Sequence, residues 1–312
     1  MAKTCVYCGI RIGNSNRARE HVIPSWLQKH LGIEKETIHL GHIPILSNTP
    51  KTERAHPADQ FLLGNVCKLC NNGWMSRMET RNQATIKSLI AGNFNILDQI
   101  DESDKLALAR WIVKTALCYN NVADYPYKVP KSHFKHVYER KNDLPAELIV
   151  LCKRNPYYAD WFLAHDPKWM PIVYRPEVDR GRMESAKEIR NLIHNSYKII
   201  LQFGHAMFIV VYCKGGHSDF RFILQPDQQT ILWTHNTDTL QYFEHPIPIR
   251  DGAWESPRIN YLMHWIAHIG LCNIPDEPPH SIDLRGTTMV TVRMQPTEAE
   301  TDDQLFWFEY KA

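Results

Sequence analysis

The sequence lacks any long hydrophobic run. Its most apolar stretch, near Phe208 to Tyr212, is far too short to span a bilayer, which excludes a membrane-crossing helix from the reading. The opening residues MAKTCVYCGI have no charged segment followed by an apolar one, so no secretion signal is expected and a cytoplasmic location follows. Internal repeats and low-complexity segments are also missing, which argues against a solenoid or a disordered linker. What is present suits a globular chain: 312 residues, comfortable for two domains, with 44% hydrophobic and 22% charged residues.

Net charge is small, +2, but unevenly spread. Residues 1–95 hold 12 Lys and Arg against 6 Asp and Glu, and residues 96–312 hold 24 against 28. A basic first part would attract phosphate backbones. Modest surpluses of this kind also arise from ordinary solvated faces.

Eight cysteines divide into two kinds. Cys5 and Cys8, then Cys67 and Cys70, form two C-x-x-C pairs; Cys118, Cys152, Cys213 and Cys272 stand singly. In a reducing compartment four thiolates in two knuckles are the tetrahedral set that structural zinc prefers, and the single cysteines read as buried thiols. The 58 residues between the pairs are compatible with this, because only each knuckle must be rigid.

Glu20-His21-Val22-Ile23-Pro24 follows the first knuckle, and Asn71-Asn72 directly follow the second. With these residues in place the sequence resembles the HNH (ββα-metal) endonuclease superfamily, most closely its zinc-stapled branch of endonuclease VII type. The resemblance covers roughly residues 5–80. It implies a ββα-metal module over residues 1–95, with an insertion at about 32–63, and phosphodiester hydrolysis in nucleic acid, double-stranded DNA being the expected substrate. It further implies that His21 is the general base and that Glu20 and Asn71 hold one Mg²⁺ or Mn²⁺, while zinc on the four cysteines is a staple. Two features depart from the pattern. The ligand before the base is more often Asp than Glu, and the middle Asn that orients the base has only Asn65 or Asn72 as candidates. Cutting both strands would call for a homodimer, and a role in bacterial or phage defence is the family-level expectation.

That chemistry can be argued without the resemblance. His21 titrates near neutrality and can take a proton from water. Glu20 and Asn71 are hard oxygen donors suited to Mg²⁺. Glu79 either joins them or is solvated. A regular strand would send Glu20 and His21 to opposite faces, so a bent hairpin is required. Asn71 should lie in the first turn of a helix, where free N–H groups favour anions.

The expected fold class is α+β. A short helix is expected over 25–31, irregular chain over 32–63, a helix after Cys70, and a helix from Asp101 to Asn120 with Ser103 as its cap. A further helix is expected over 184–194. Strands are expected at Tyr197–Phe203, Met207–Cys213, Phe220–Leu224 and Thr230–Thr234, with a final helix near 257–272 and a strand near Thr288–Met294. Residues 96–312 form an α+β domain for target choice, sensing or oligomerisation.

Other candidates have plainer explanations. His264 and His268, four apart, lack the glutamate of a metalloprotease helix and read as packing residues. Gly215-Gly216 reads as a hairpin turn. Arg180, Arg182, Lys128, Lys131 and Lys135 read as surface charge, and Trp111, Trp161, Trp169, Trp233, Trp254, Trp265 and Trp307 as core. Two non-enzymatic readings stay open: a catalytically silent zinc-knuckle module that binds nucleic acid, and a structural zinc domain for protein contacts.

Overall fold

The computed structural model describes residues 3–42, 52–123, 129–166, 196–213, 222–224, 229–234, 240–242 and 288–290. The expectations for Lys128, Trp169, Arg180, Arg182, Gly215, Gly216, Trp254, His264, Trp265, His268, Cys272 and Trp307, and for helices at 184–194 and 257–272, lie outside these residues.

The fold is α+β, built from helices and small, mostly antiparallel sheets. Strand β1 (Arg17–His21) pairs antiparallel with β4 (Leu62–Cys67). Between them lie helix α1 (Ser25–Leu31), β2 (Thr37–His42), β3 (Thr52–Pro57) and one 3-10 turn, Ala58–Gln60. Helix α1 ends at Gly32, whose φ of 71° is left-handed and whose N–H returns to Lys29 O.

The described residues of the segment 32–63 are therefore not irregular, contrary to expectation. β2 and β3 pair with each other from Thr37–Pro57 to His42–Thr52, and β2 also pairs with β10 (Thr288–Val290), far along the chain. Glycines and prolines hid a hairpin whose first strand is also paired with a distant one. Strands β5 (Leu148–Asp166) and β6 (Ser196–Cys213) complete the sheet in the order β3-β2-β10-β5-β6, with β8 (Gln229–Trp233) also on β5. A small parallel pair joins β7 (Phe222–Leu224) and β9 (Leu240–Tyr242).

The two strands expected at 197–203 and 207–213 are one continuous β6. It passes through Gly204 at φ 58°, where an added Cβ would lie 2.6 Å from the Ile90 carbonyl oxygen. Only glycine fits both the backbone and that approach.

Helix α4 (Glu102–Val122) packs on β4, β5, β6 and β8 and α2 (Ser76–Ile90) on β6, while α3 (Ile96–Gln99) rests on α2 and α5 (Lys131–Glu139) on α4. Asp101, not Ser103, caps α4: its carboxylate accepts from the Asp104 N–H at 2.8 Å. Ser103 lies inside the first turn, where its hydroxyl accepts from Arg81 Nη2 at 2.7 Å.

Among the described residues, helix α4 packs against the most elements. It touches α2, α5, β4, β5, β6 and β8, and every residue from Trp111 to Asn120 is buried. A single hydrophobic cluster runs from Cys5 through α4 to Leu232. Trp111 is fully buried and meets Phe208 edge-on at 6.1 Å, and Trp161 is also core, as expected. Among the described residues no helix is long and apolar enough to cross a membrane.

Candidate functional site

Two pieces of chain bring the C-x-x-C pairs together. Residues Cys5–Cys8 turn back so that Cys5 N–H reaches Ile10 O at 2.8 Å and Gly9 N–H reaches Cys5 O at 2.9 Å. Cys67 ends β4, and Cys70 opens a π-helical turn, Cys70–Met75, that runs into α2. Val6 N–H binds Asn65 O at 3.0 Å and so ties the first knuckle to β4.

The four Sγ atoms lie within 4.8 Å of one another, with Cys5–Cys70 at 3.8 Å and Cys8–Cys67 at 3.6 Å. A tetrahedron of sulfurs about 2.3 Å from a central ion has edges of about 3.8 Å. The four cysteines could thus hold one metal ion such as zinc, at the junction of the knuckle, β4 and the start of α2. Tyr7 packs behind them, edge-on to Trp74 and Phe134 at 5.3 Å each, with its hydroxyl 3.2 Å from Cys118 Sγ.

Beside the cysteine cluster is a cavity of about 260 Å³. Glu20, His21, Asn71, Asn72 and Glu79 all line it, together with the exposed Arg19. β1 solves the problem of aiming neighbouring side chains at one place. Its register against β4 shifts between Ala18 and Glu20, and the strand ends at His21. Asn71 stands in the π-helical turn, a departure from the plain helical turn expected there and a feature that recurs at functional sites.

His21 is half-buried, and its Nδ1 lies 3.2 Å from the Ser25 hydroxyl. Burial lowers its pKa below the ordinary value, with a contact to the Asp59 backbone acting the other way. Neutral imidazole, the form able to accept a proton, therefore prevails at pH 7. Asn71 donates through Nδ2 to Asn72 Oδ1 at 3.0 Å, and its own Oδ1 is buried with no hydrogen-bond partner. A buried amide oxygen left unpaired costs free energy, of order 1–3 kcal/mol, unless a ligand or water meets it. Asn65 does not line the cavity: it stays on β4, where its carbonyl serves the knuckle. Of the two candidates for the middle Asn, only Asn72 is at the cavity.

Lys114 is the residue that sequence reasoning missed. It is fully buried on α4, and its Nζ donates to Glu20 Oε1 at 2.7 Å and to Glu79 Oε1 at 2.8 Å. Burial alone would lower the lysine pKa, but the Glu20 and Glu79 carboxylates outweigh it and hold the ammonium above the ordinary lysine value. For Glu20, burial raises the pKa and Lys114 opposes it. A signal existed in the sequence: one lysine inside the apolar stretch Ile112–Leu117 must find a carboxylate wherever the helix is buried.

Hard oxygen donors for a divalent cation converge here: two carboxylates and the unpaired Asn71 Oδ1. Among the described residues, however, the four cysteines form the one cluster of three or more His, Cys, Asp or Glu ligand atoms close enough to share an ion.

Compared with known proteins, the chain matches no family model, no curated protein and no solved structure.

Proposed function

We propose that the protein is a metal-dependent endonuclease of HNH type, with double-stranded DNA as substrate and zinc as a structural staple. The observation that carries this reading is the convergence of Glu20, His21, Asn71, Asn72 and Glu79 on one cavity beside the four-cysteine cluster. These residues come from two segments about fifty positions apart, and packing alone gives no reason for an acid, a neutral histidine and an unpaired amide oxygen to share one open cavity.

In this reading His21 takes a proton from water, whose oxygen attacks phosphorus while the bond to the departing deoxyribose oxygen breaks; that oxygen takes a proton from a solvent water. Glu20 and Asn71 would hold Mg²⁺ or Mn²⁺, with Glu79 beside them. When bound, the ion supplies positive charge against the phosphate. Lys114 donates to both Glu20 and Glu79 and so fixes the direction of the two carboxyl groups. Ser25 restrains the imidazole. Arg19, exposed at the rim, attracts the phosphate backbone.

One observation favours a second reading, a catalytically silent zinc-knuckle module that binds nucleic acid: Lys114 already occupies one oxygen of each carboxylate. Incubation of supercoiled plasmid with purified protein in Mg²⁺ or Mn²⁺ separates the two. The nuclease reading expects nicked and linear product that appears only with the added ion; binding without cleavage in every divalent metal would support the silent module.

A further inference from the structure

Helix α2 separates the Glu20–His21 cavity from a larger one, of about 640 Å³. Asn72, Ser76 and Glu79 face the first, whereas Gly73, Arg77 and Arg81 face the second, as helical periodicity requires. A helix is about 10 Å across with its side chains, so the two openings are near neighbours around the N-terminal end of α2.

The second cavity combines aromatic walls with uncompensated positive charge. Trp74 and Tyr138 line it, with ring centroids 6.2 Å apart and planes tilted by 54°. Arg77, Arg110 and Lys141 line it as well, and among the described residues none of the three has a carboxylate within ion-pair distance. Arg81 is there too, but Asp104 already meets its charge at 2.7 Å. The single acid of the lining, Glu139, is 3.6 Å from Lys135.

Arg110 is the most telling of these. Its Nη2 donates to the Val137 carbonyl at 2.6 Å, while its Nε is buried without an acceptor. Burial, and then the neighbouring Arg81 charge, lower its pKa. A half-buried guanidinium with an idle N–H and a like charge beside it is unfavourable until an anion arrives.

We propose that this cavity binds an unpaired nucleotide of single-stranded nucleic acid, its base against Trp74 and Tyr138 and its phosphate on Arg110, Arg77 and Lys141. Duplex DNA keeps its bases stacked and offers no free ring face, whereas a splayed base can lie on aromatic side chains. An acidic peptide would satisfy the cations but has no use for two aromatic walls. The inference rests on the nuclease reading in one respect: the bound strand continues around α2 to the Glu20–His21 cavity, so the enzyme would act beside an unpaired position.

The test is fluorescence anisotropy with the full chain carrying His21→Ala, using labelled oligothymidylate of about 12 nucleotides, a length within the usual range for single-strand sites. The same strand annealed to oligodeoxyadenylate serves as the duplex. Tighter binding of the single strand is expected. Arg77→Ala combined with Lys141→Ala, both at exposed positions, should weaken it about tenfold and lower the salt slope by about two. Tyr138→Leu should weaken binding about fivefold or more with the salt slope unchanged. Unchanged affinity in these variants overturns the proposal, as does displacement by polyglutamate but not by unlabelled oligonucleotide, which would indicate an acidic protein partner. Plasmid cleavage by the otherwise unaltered protein separates the two claims. Cleavage with unaltered oligonucleotide binding in the groove variants overturns the groove alone; groove-dependent binding without any cleavage overturns the nuclease and supports the groove.

Discussion

Lys114 Nζ lies 2.7 Å from Glu20 Oε1, a contact between residues 94 positions apart in the chain. The lysine is fully buried and the glutamate nearly so, and Glu79 closes the group at 2.8 Å from the same nitrogen. Through this contact helix α4 fixes the position of the carboxyl group that precedes His21 on β1.

Removing the lysine alone should be severe. Lys114→Met leaves two carboxylates inside the protein without their cation, and breaking such a buried group costs about 3–5 kcal/mol. Urea unfolding should show that loss. Adding Glu20→Gln to Lys114→Met should restore part of it, because the more buried of the two orphaned carboxylates is then gone. A double variant no more stable than Lys114→Met would contradict the coupling.

The cysteine cluster predicts bound metal. Purified protein should carry one zinc ion per chain by elemental analysis, and cobalt substitution should give the absorption of a tetrahedral thiolate site. Cys5→Ser or Cys70→Ser should lose the ion and lower the thermal midpoint, since the site joins the first knuckle to β4 and α2. Full zinc occupancy in both variants would show that the ion is held elsewhere.

A pH effect should come from His133, away from the candidate site. Its ring is buried, its Nδ1 lies 2.8 Å from the Tyr197 hydroxyl, and burial pushes its pKa down from 6.5 to about 4. The unfolded chain binds that proton more readily than the folded one. Its contribution to stability is therefore complete above pH 6.5 and is lost as pH falls toward 4, a change of about 3 kcal/mol. Urea midpoints for His133→Gln should fall less steeply than those of the unaltered protein between pH 7 and pH 4.5. Parallel slopes would assign the pH dependence to other groups.

Local patterns were the legible part of this sequence. The two knuckles, the Glu20-His21 pair, Asn71, α1 and the strands around residues 196–213 all follow from neighbouring residues. What was illegible depends on distant ones. β2 is held by β3 and by β10, more than two hundred positions away, so the glycines and prolines around it read as loop. Lys114 belonged to a segment assigned to the other half of the chain, and its meaning appears only when α4 is laid against β4 and α2. The cap of α4 was misplaced by two residues because Asp101 and Ser103 are both good caps and only the backbone path separates them.

The most direct test of the nuclease account is the rate of plasmid nicking in Mg²⁺ or Mn²⁺ by the unaltered protein and by His21→Ala, with zinc content and thermal midpoint measured on both. Loss of a general base should cut the rate about a hundredfold or more while zinc and fold are kept. Equal nicking by the two proteins would contradict the assignment of His21 and place the activity, or a contaminant, elsewhere.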